Sequence, residues 1–259
     1  MRICFWSLVF LLVFPFFLYP EIVELDRLVD VLAYCDTQEN KQENLLVIWD
    51  IDNTLASSPI EVGTDQSFVY LYKKEMNKTG SSIEEAVDIV LPEYWKIQER
   101  VELETSEENT LDILKKIKAN APSIALTARS PQIKDLTLGQ LQKAGFGEFS
   151  SLLPHQEVIQ LDFLAGYKKG IIFCGNNDKG KTLFYMLDKA SYFPTKIIFI
   201  DDKVKNLKVV EKACLEQGIE FIGLRYNAYD ERVKNFSPER YEQQVKDLFP
   251  EGIDVSSYV

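Results

Sequence analysis

The chain is 259 residues long, enough for one large core or two modest ones, and its 46% hydrophobic and 27% charged content excludes a disordered or fibrous protein. With a net charge of −11, nothing favours a nucleic-acid backbone as partner, and none is expected. An anionic small substrate would therefore need local positive charge, from a metal or a few lysines.

In chain order, residues 1–20 stand apart. Arg2 supplies one positive charge, and residues 3–19 are apolar except for Ser7 and Pro15. A short basic start and an apolar run too short for a comfortable span predict a secretory signal. No small-x-small triplet precedes Glu21, so an uncleaved N-terminal anchor stays open beside it. Either way the chain is expected to be exported, periplasmic or secreted, with 21–259 as its folded domain. Cys35, Cys174 and Cys214 fall at irregular spacing, so neither a disulfide framework nor a zinc site is expected, and a Cys35–Cys214 bridge is the pairing left open.

Residues 22–35 place Ile22, Leu25, Leu28, Val29 and Leu32 at helical spacing and predict an amphipathic helix, with a polar loop over 36–44. Residues 45–49 are apolar and run into Asp50 and Asp52, which reads as a buried strand presenting two carboxylates at its C-terminal end. Residues 56–65 are turn-rich and 66–104 read as helical. Ser82 and Glu85 form a capping-box pattern there, and Pro92 is expected to interrupt or kink the segment. Some fifty residues of helix directly after this strand, at about 56–105, predict a cap over a site.

A helix at 106–119 leads to a second strand ending in Thr127, and Ser130-Pro131 starts the next helix, closed by Gly145. Residues 146–168 give no clear pattern. A third apolar run, 170–174, precedes a helix from about Lys179 with Asp178 as N-cap. A fourth strand ends at Asp201-Asp202, a helix spans 204–217, a fifth strand covers 220–224, and a last helix starts at Ser237-Pro238. Strands alternating with helices predict an α/β fold, a doubly wound, Rossmann-like parallel sheet.

Parallel strands share one C-terminal edge, so Asp50, Asp52, Thr127, Lys179, Asp201 and Asp202 should converge. These are the groups that phosphoryl transfer to a carboxylate needs. Asp50 would attack, and Asp52 would protonate the leaving group and then activate water. Thr127 and Lys179 would bind the phosphate, with Lys181 as a rival lysine. Mg²⁺, which takes oxygen ligands, could be held by Asp50, Asp201 and Asp52, the last through a main-chain carbonyl near it, with Asp202 behind them. Asn206 could steady the acidic loop. The single histidine, His155, reads as a surface loop residue.

These residues resemble the haloacid dehalogenase-like (HAD) superfamily. Asp50-Ile51-Asp52-Asn53-Thr54 is similar to its first motif, residues 124–127 to its second, Lys179-Gly180 to its third, and residues 198–202 to its fourth. Residues 170–173, Asp201-Asp202-Lys203 and the leader look like a narrower family of uncharacterised exported HAD-like bacterial proteins. The resemblance implies a Mg²⁺-dependent phosphatase with Asp50 as nucleophile, acting on a small phosphorylated compound. The presence of Asp52 disfavours dehalogenation. A non-catalytic HAD-like scaffold, serving as an exported binding or host-interaction protein, is the competing expectation.

Overall fold

A computed structural model describes residues 21–35 and 44–258. The leader expectation for residues 1–20 lies outside the described residues, as does most of the polar stretch after Cys35.

The central sheet has eight strands. They are β1 (Glu21–Leu25), β2 (Leu45–Trp49), β5 (Ser123–Thr127), β6 (Glu157–Gln160), β7 (Leu164–Lys168), β8 (Ile171–Phe173), β9 (Lys196–Asp201) and β10 (Glu220–Tyr226); a separate pair, β3 (Ala56–Ser57) and β4 (Glu104–Thr105), lies outside it. The spatial order is β1-β10-β9-β2-β5-β8-β7-β6. From β1 to β8 every pairing is parallel, while β7 and β6 add on antiparallel at one edge.

Strand alternation splits the core into two layers. Leu45, Val47 and Trp49 of β2 join one apolar cluster, while Leu46 and Ile48 join the other. The first layer takes Ile113, Leu114 and Ile117 from α4 (Thr110–Lys118) and Leu141 from α5 (Lys134–Lys143). The second takes Leu183, Met186 and Leu187 from α6 (Lys179–Lys189) and Leu207, Val210 and Cys214 from α7 (Val204–Glu216). Helices thus cover both faces, which is why β2 is buried along its whole length. Cys35 and Cys214 belong to opposite layers, so no bridge joins them.

Three expectations change. The helix expected over 22–35 is instead β1, a short 3-10 turn, and the single-turn α1 (Val31–Cys35). Leu25, Leu28, Val29 and Leu32 do fit a helix, but β10 offers an open parallel edge. Five residues pair with it, from Glu21 opposite Ile222 to Leu25 opposite Tyr226. Residues 146–168, patternless in sequence, contain β6 and β7. Their apolar signal is weak because β6 is the edge strand and buries Ile159 alone. Gly166 in β7 is explained by close approach: a Cβ there would stand 2.9 Å from the Pro131 Cβ. Lys169 (φ 50°) and Gly170 (φ 78°) form the two-residue turn into β8, and two positive φ values are what so tight a hairpin requires. Finally, α3 (Ile83–Gln98) continues through Pro92.

Between β2 and β5 the chain makes α2 (Asp65–Thr79) and α3, with β3 and β4 pairing antiparallel where it leaves and rejoins the core. The capping box forms at the start of α3: the Ser82 N–H donates to Glu85 Oε2 at 2.8 Å and the Glu85 N–H to Ser82 Oγ at 3.3 Å. After β10 come α8 (Asp230–Lys234) and α9 (Pro238–Leu248), and α9 packs on α2.

Candidate active site

The chain leaves β2 toward β5 on one side, and after β8 it crosses back through α6 to β9 on the other. The crevice beyond the end of β2 is therefore a switch point, the place where open α/β sheets bind ligands. Asp50 extends the ladder by one residue, its N–H donating to the Ile200 carbonyl at 2.8 Å. The chain then folds tightly. The Leu55 and Ala56 N–H groups both donate to the Ile51 carbonyl at 3.0 Å, and Asn53 takes a left-handed conformation (φ 58°) that asparagine tolerates.

Lys179 is the hub of the site. Its ammonium donates to Asp50 Oδ1 at 2.8 Å and to Asp201 Oδ2 at 2.7 Å, with all three side chains nearly inaccessible. It is aimed there by its place in the first turn of α6, where the Asp178 carboxylate caps the Lys181 N–H at 2.9 Å. Gly180 lets this helix press on α7, since a Cβ there would meet the Val209 carbonyl oxygen at 2.6 Å. Lys181 points elsewhere and pairs with Asp162 at 2.6 Å, both exposed.

Asp201 is fully engaged. Its Oδ1 accepts the Lys203 N–H at 2.7 Å, and Asn206 Nδ2 lies 3.0 Å from each of its oxygens. Asp202 differs. Its Oδ2 accepts from Asn53 Nδ2 at 3.4 Å, and its buried Oδ1 has no partner. Oxygens of Asp50, Asp201 and Asp202 all lie within 4.8 Å of one another. Burial pushes Asp50 up to about 7, with Asp201 and Asp52 adding repulsion against the pull of Lys179. Burial likewise pushes Asp202 up to about 8, opposed by Lys203 and assisted by Asp50 and Asp201.

Of these three buried carboxylates, Asp50 and Asp201 share the Lys179 ammonium, and Asp202 keeps one oxygen without a partner. Oxygen donors with excess negative charge suit a hard divalent cation, so the residues fit such an ion. The open atoms sit on Asp50 and Asp202, whereas Asp201 spends its lone pairs on Lys179, Asn206 and the backbone. Asp52 is outside this cluster.

Asp52 instead meets Arg129, a residue that the strand-end reasoning passed over. Arg129 Nε and Nη2 donate to the two Asp52 oxygens at 2.8 Å each, a bidentate pair with little solvent exposure. Arg129 Nη1 donates to Gln140 Oε1 at 2.6 Å, and Gln140 Nε2 reaches the carbonyls of Gln98 (2.9 Å) and Val101 (3.1 Å). Thr127 is fully buried at the end of β5, where its Oγ1 accepts the Arg129 N–H at 3.1 Å; the cavity is lined by Ala128 and Arg129, not by Thr127. The available signal for Arg129 was a cation two residues beyond a strand end on the same edge as the acids. Lys203, part of the Asp201-Asp202-Lys203 run, also lines the cavity. It pairs with Asp65 at the start of α2, and Asp65 raises its affinity for its proton.

A cavity of about 410 Å³ opens above these groups. Its floor includes Asp50, Asp52, Arg129, Lys179 and Lys203, and its far wall is formed by α2 and α3.

Asp50, Thr127, Lys179 and Asp201 thus lie at one C-terminal edge of the sheet. A Chlamydia pneumoniae protein provisionally named an outer membrane protein is 28% identical over 194 residues, 73% of this chain and 71% of that protein. A Chlamydia trachomatis protein of the same provisional name is 26% identical over 186 residues, covering 71% and 70%. Among solved structures, a haloacid dehalogenase-like family hydrolase from Streptococcus pneumoniae is 15% identical, covers 74% of this chain and 98% of its own, and has a TM-score of 0.43. A Clostridium difficile structure provisionally titled a phosphatase is 13% identical, covers 73% and 97%, and has a TM-score of 0.41. The family model described as "Protein of unknown function (DUF2608)" matches residues 24–248, and the chain belongs to that family.

Proposed function

We propose that this chain is an exported, Mg²⁺-dependent phosphomonoester hydrolase that acts on a small phosphorylated compound through an aspartyl phosphate on Asp50. The observation that carries the reading is the buried cluster of Asp50, Asp201 and Asp202, in which Lys179 bridges Asp50 and Asp201 while Asp202 Oδ1 has no partner. Bound Mg²⁺ would supply the positive charge that keeps Asp50 ionised and offsets the charge of the phosphate.

The chain's own groups then divide the work. An Asp50 oxygen bonds to phosphorus as the ester oxygen leaves, and Asp52 gives that oxygen its proton. Water next attacks the phosphorus of the acyl phosphate, Asp52 takes the proton of that water, and phosphate and Asp50 are released. Lys179 neutralises charge on the transferred group, and Asn206 with the Lys203 N–H holds Asp201 in place. The insertion of α2 and α3 serves as the cap that closes one side of the site. Export is supported by the apolar residues 1–20 and by the outer-membrane names of the Chlamydia relatives. Among the described residues no helix is long and apolar enough to cross a membrane.

A second reading, a non-catalytic scaffold that keeps the fold without turnover, is favoured by one observation. Both oxygens of Asp52 are taken by Arg129, which opposes the protonated state that a general acid needs. One experiment separates the two: hydrolysis of phosphomonoesters by the purified chain with and without Mg²⁺, alongside Asp50→Asn. Phosphatase activity that needs Mg²⁺ and falls roughly 1,000-fold or more in the variant is expected. Activity surviving in Asp50→Asn would sink the mechanism, and thermal stabilisation by Mg²⁺ with no turnover on any ester would establish the scaffold.

A further inference from the structure

The cavity above Asp50 has two chemically unlike ends. Its floor is charged. Its opposite wall is presented by Phe68 and Tyr72, one turn apart on α2, and by Leu91, Tyr94 and Trp95, one turn apart on α3. The rings organise one another: Phe68 and Tyr94 have centroids 4.9 Å apart, and Phe68 and Tyr72 meet edge to face at 5.8 Å. Phe68, Tyr72, Leu91 and Tyr94 are only partly buried, so packing within the insertion does not consume their apolar surface. Phe163, 44% exposed, adds a ring from the opposite side.

On this wall the Tyr94 and Gln98 polar groups are committed, and the Asp88 carboxylate and the Tyr72 hydroxyl complete its polar lining. The Tyr94 hydroxyl donates to the Gly63 carbonyl at 3.3 Å, and Gln98 Nε2 donates to the same oxygen at 2.9 Å. Gln98 Oε1 in turn accepts from Gln140 Nε2 at 3.1 Å. A polyol or sugar laid on the ring faces of Phe68 and Tyr72 would lose water from its hydroxyls with no partner on those faces, which costs free energy. A flat apolar group would gain by burial against the rings. The volume, about 410 Å³, is within the range of about 300–1,000 Å³ typical of small-molecule sites, so room remains beyond the phosphate.

We propose that the alcohol esterified to phosphate is apolar and ring-sized, an aromatic or comparably flat hydrophobic group lying against Phe68, Tyr72, Leu91 and Tyr94 while the phosphate meets Asp50 and Lys179. This names the substrate class of the phosphohydrolase proposed above and rests on that reading.

Benzyl phosphate and glycerol 3-phosphate release alkoxides of similar basicity, so the ratio of their kcat/KM values with the full chain and Mg²⁺ reports the wall rather than the leaving group. Benzyl phosphate should be preferred at least about tenfold (about 1.4 kcal/mol), mainly through KM. Tyr72→Ala and Phe68→Ala should each collapse most of that ratio. Equal kcat/KM for the two esters, or a ratio unmoved in both variants, overturns the apolar site and leaves the phosphatase reading standing. If neither ester is hydrolysed, the phosphatase reading fails, and calorimetry with Mg²⁺ decides the ring site alone. Benzylphosphonate binding at least about tenfold tighter than methylphosphonate supports the site, while equal or undetectable binding of both overturns it.

Discussion

Asp50 and Asp52 are separated by one residue, yet they occupy different electrostatic surroundings. Asp50 shares Lys179 with Asp201 at the buried floor of the cavity, and burial there drives its proton affinity up. Asp52 faces a guanidinium that matches both of its oxygens. Removing Arg129 would strand the carboxylate in a mostly buried position and also orphan Gln140 Oε1. Arg129→Leu is therefore expected to lower stability by about 3–5 kcal/mol, the usual cost of breaking a buried pair from one side. Arg129→Lys keeps the charge but loses the fork, and should recover only part of that stability. Chemical denaturation of the three proteins checks this, and a Leu variant as stable as the parent would show that the pair contributes nothing. At this scale the sequence was informative wherever a strand end placed a group: Asp50, Lys179, Asp201 and Asp202 could all be read from apolar runs that stop at them. Arg129 could not. Its partner lies 77 positions earlier in the chain, and no local pattern distinguishes a paired guanidinium from a solvated one.

The insertion of α2 and α3 depends on contacts made far along the chain. Gln140, on α5, bonds the carbonyls of Gln98 and Val101 at the end of α3, while Gln98 bonds the Gly63 carbonyl just before α2. A buried amide thus ties both ends of the insertion to Arg129, and through Arg129 to Asp52. The outer side is held by α8 and α9. There Gln244 accepts the Glu61 N–H at 2.9 Å, Tyr70 donates to Glu242 at 2.8 Å, and Arg232 donates to the Ile60 carbonyl at 2.9 Å. Gln140→Leu fills similar space but leaves the Arg129 donor and the carbonyl acceptors unmatched, a loss of about 2–4 kcal/mol. Amide hydrogen exchange should quicken first in 63–101. Exchange confined to other segments would show that Gln140 does not tether the insertion. The insertion itself is legible because helical patterns follow β2, and its capping box shows in the sequence as Ser82 and Glu85. Its tethers are not, because hydrogen bonds from α5 and α9 leave no periodicity in 63–101. The same limit explains β1. Helical spacing in 22–35 was real, but an open edge of β10 decided the conformation of its first five residues.

Across the whole molecule, a net charge of −11 and a cluster of buried acids make stability depend on protons and cations together. Burial pushes Asp50 up to about 7 and Asp202 up to about 8, from 3.8 for an ordinary aspartate. The folded state therefore holds protons on these groups more tightly than the unfolded chain does. Their contribution is fully present below 3.8 and is lost as pH rises through 7 and 8, when both must ionise in a buried site. A divalent cation competes with those protons, so its stabilising effect should grow in the opposite direction. Melting temperatures with chelator and with excess Mg²⁺ should differ little at about pH 5 and diverge steadily toward about pH 8. A Mg²⁺ increment that is flat across that range would contradict the assignment of the cluster. The sequence by itself determined the layered α/β plan and the strand ends that carry the acids, since burial periodicity and chain order are local properties that side chains impose directly. Only the tertiary structure decided which charges meet, that the Asp202 carboxylate lies with those of Asp50 and Asp201, and that Arg129 claims the Asp52 carboxylate. Those pairings link residues dozens of positions apart and are fixed by how the sheet and the insertion pack.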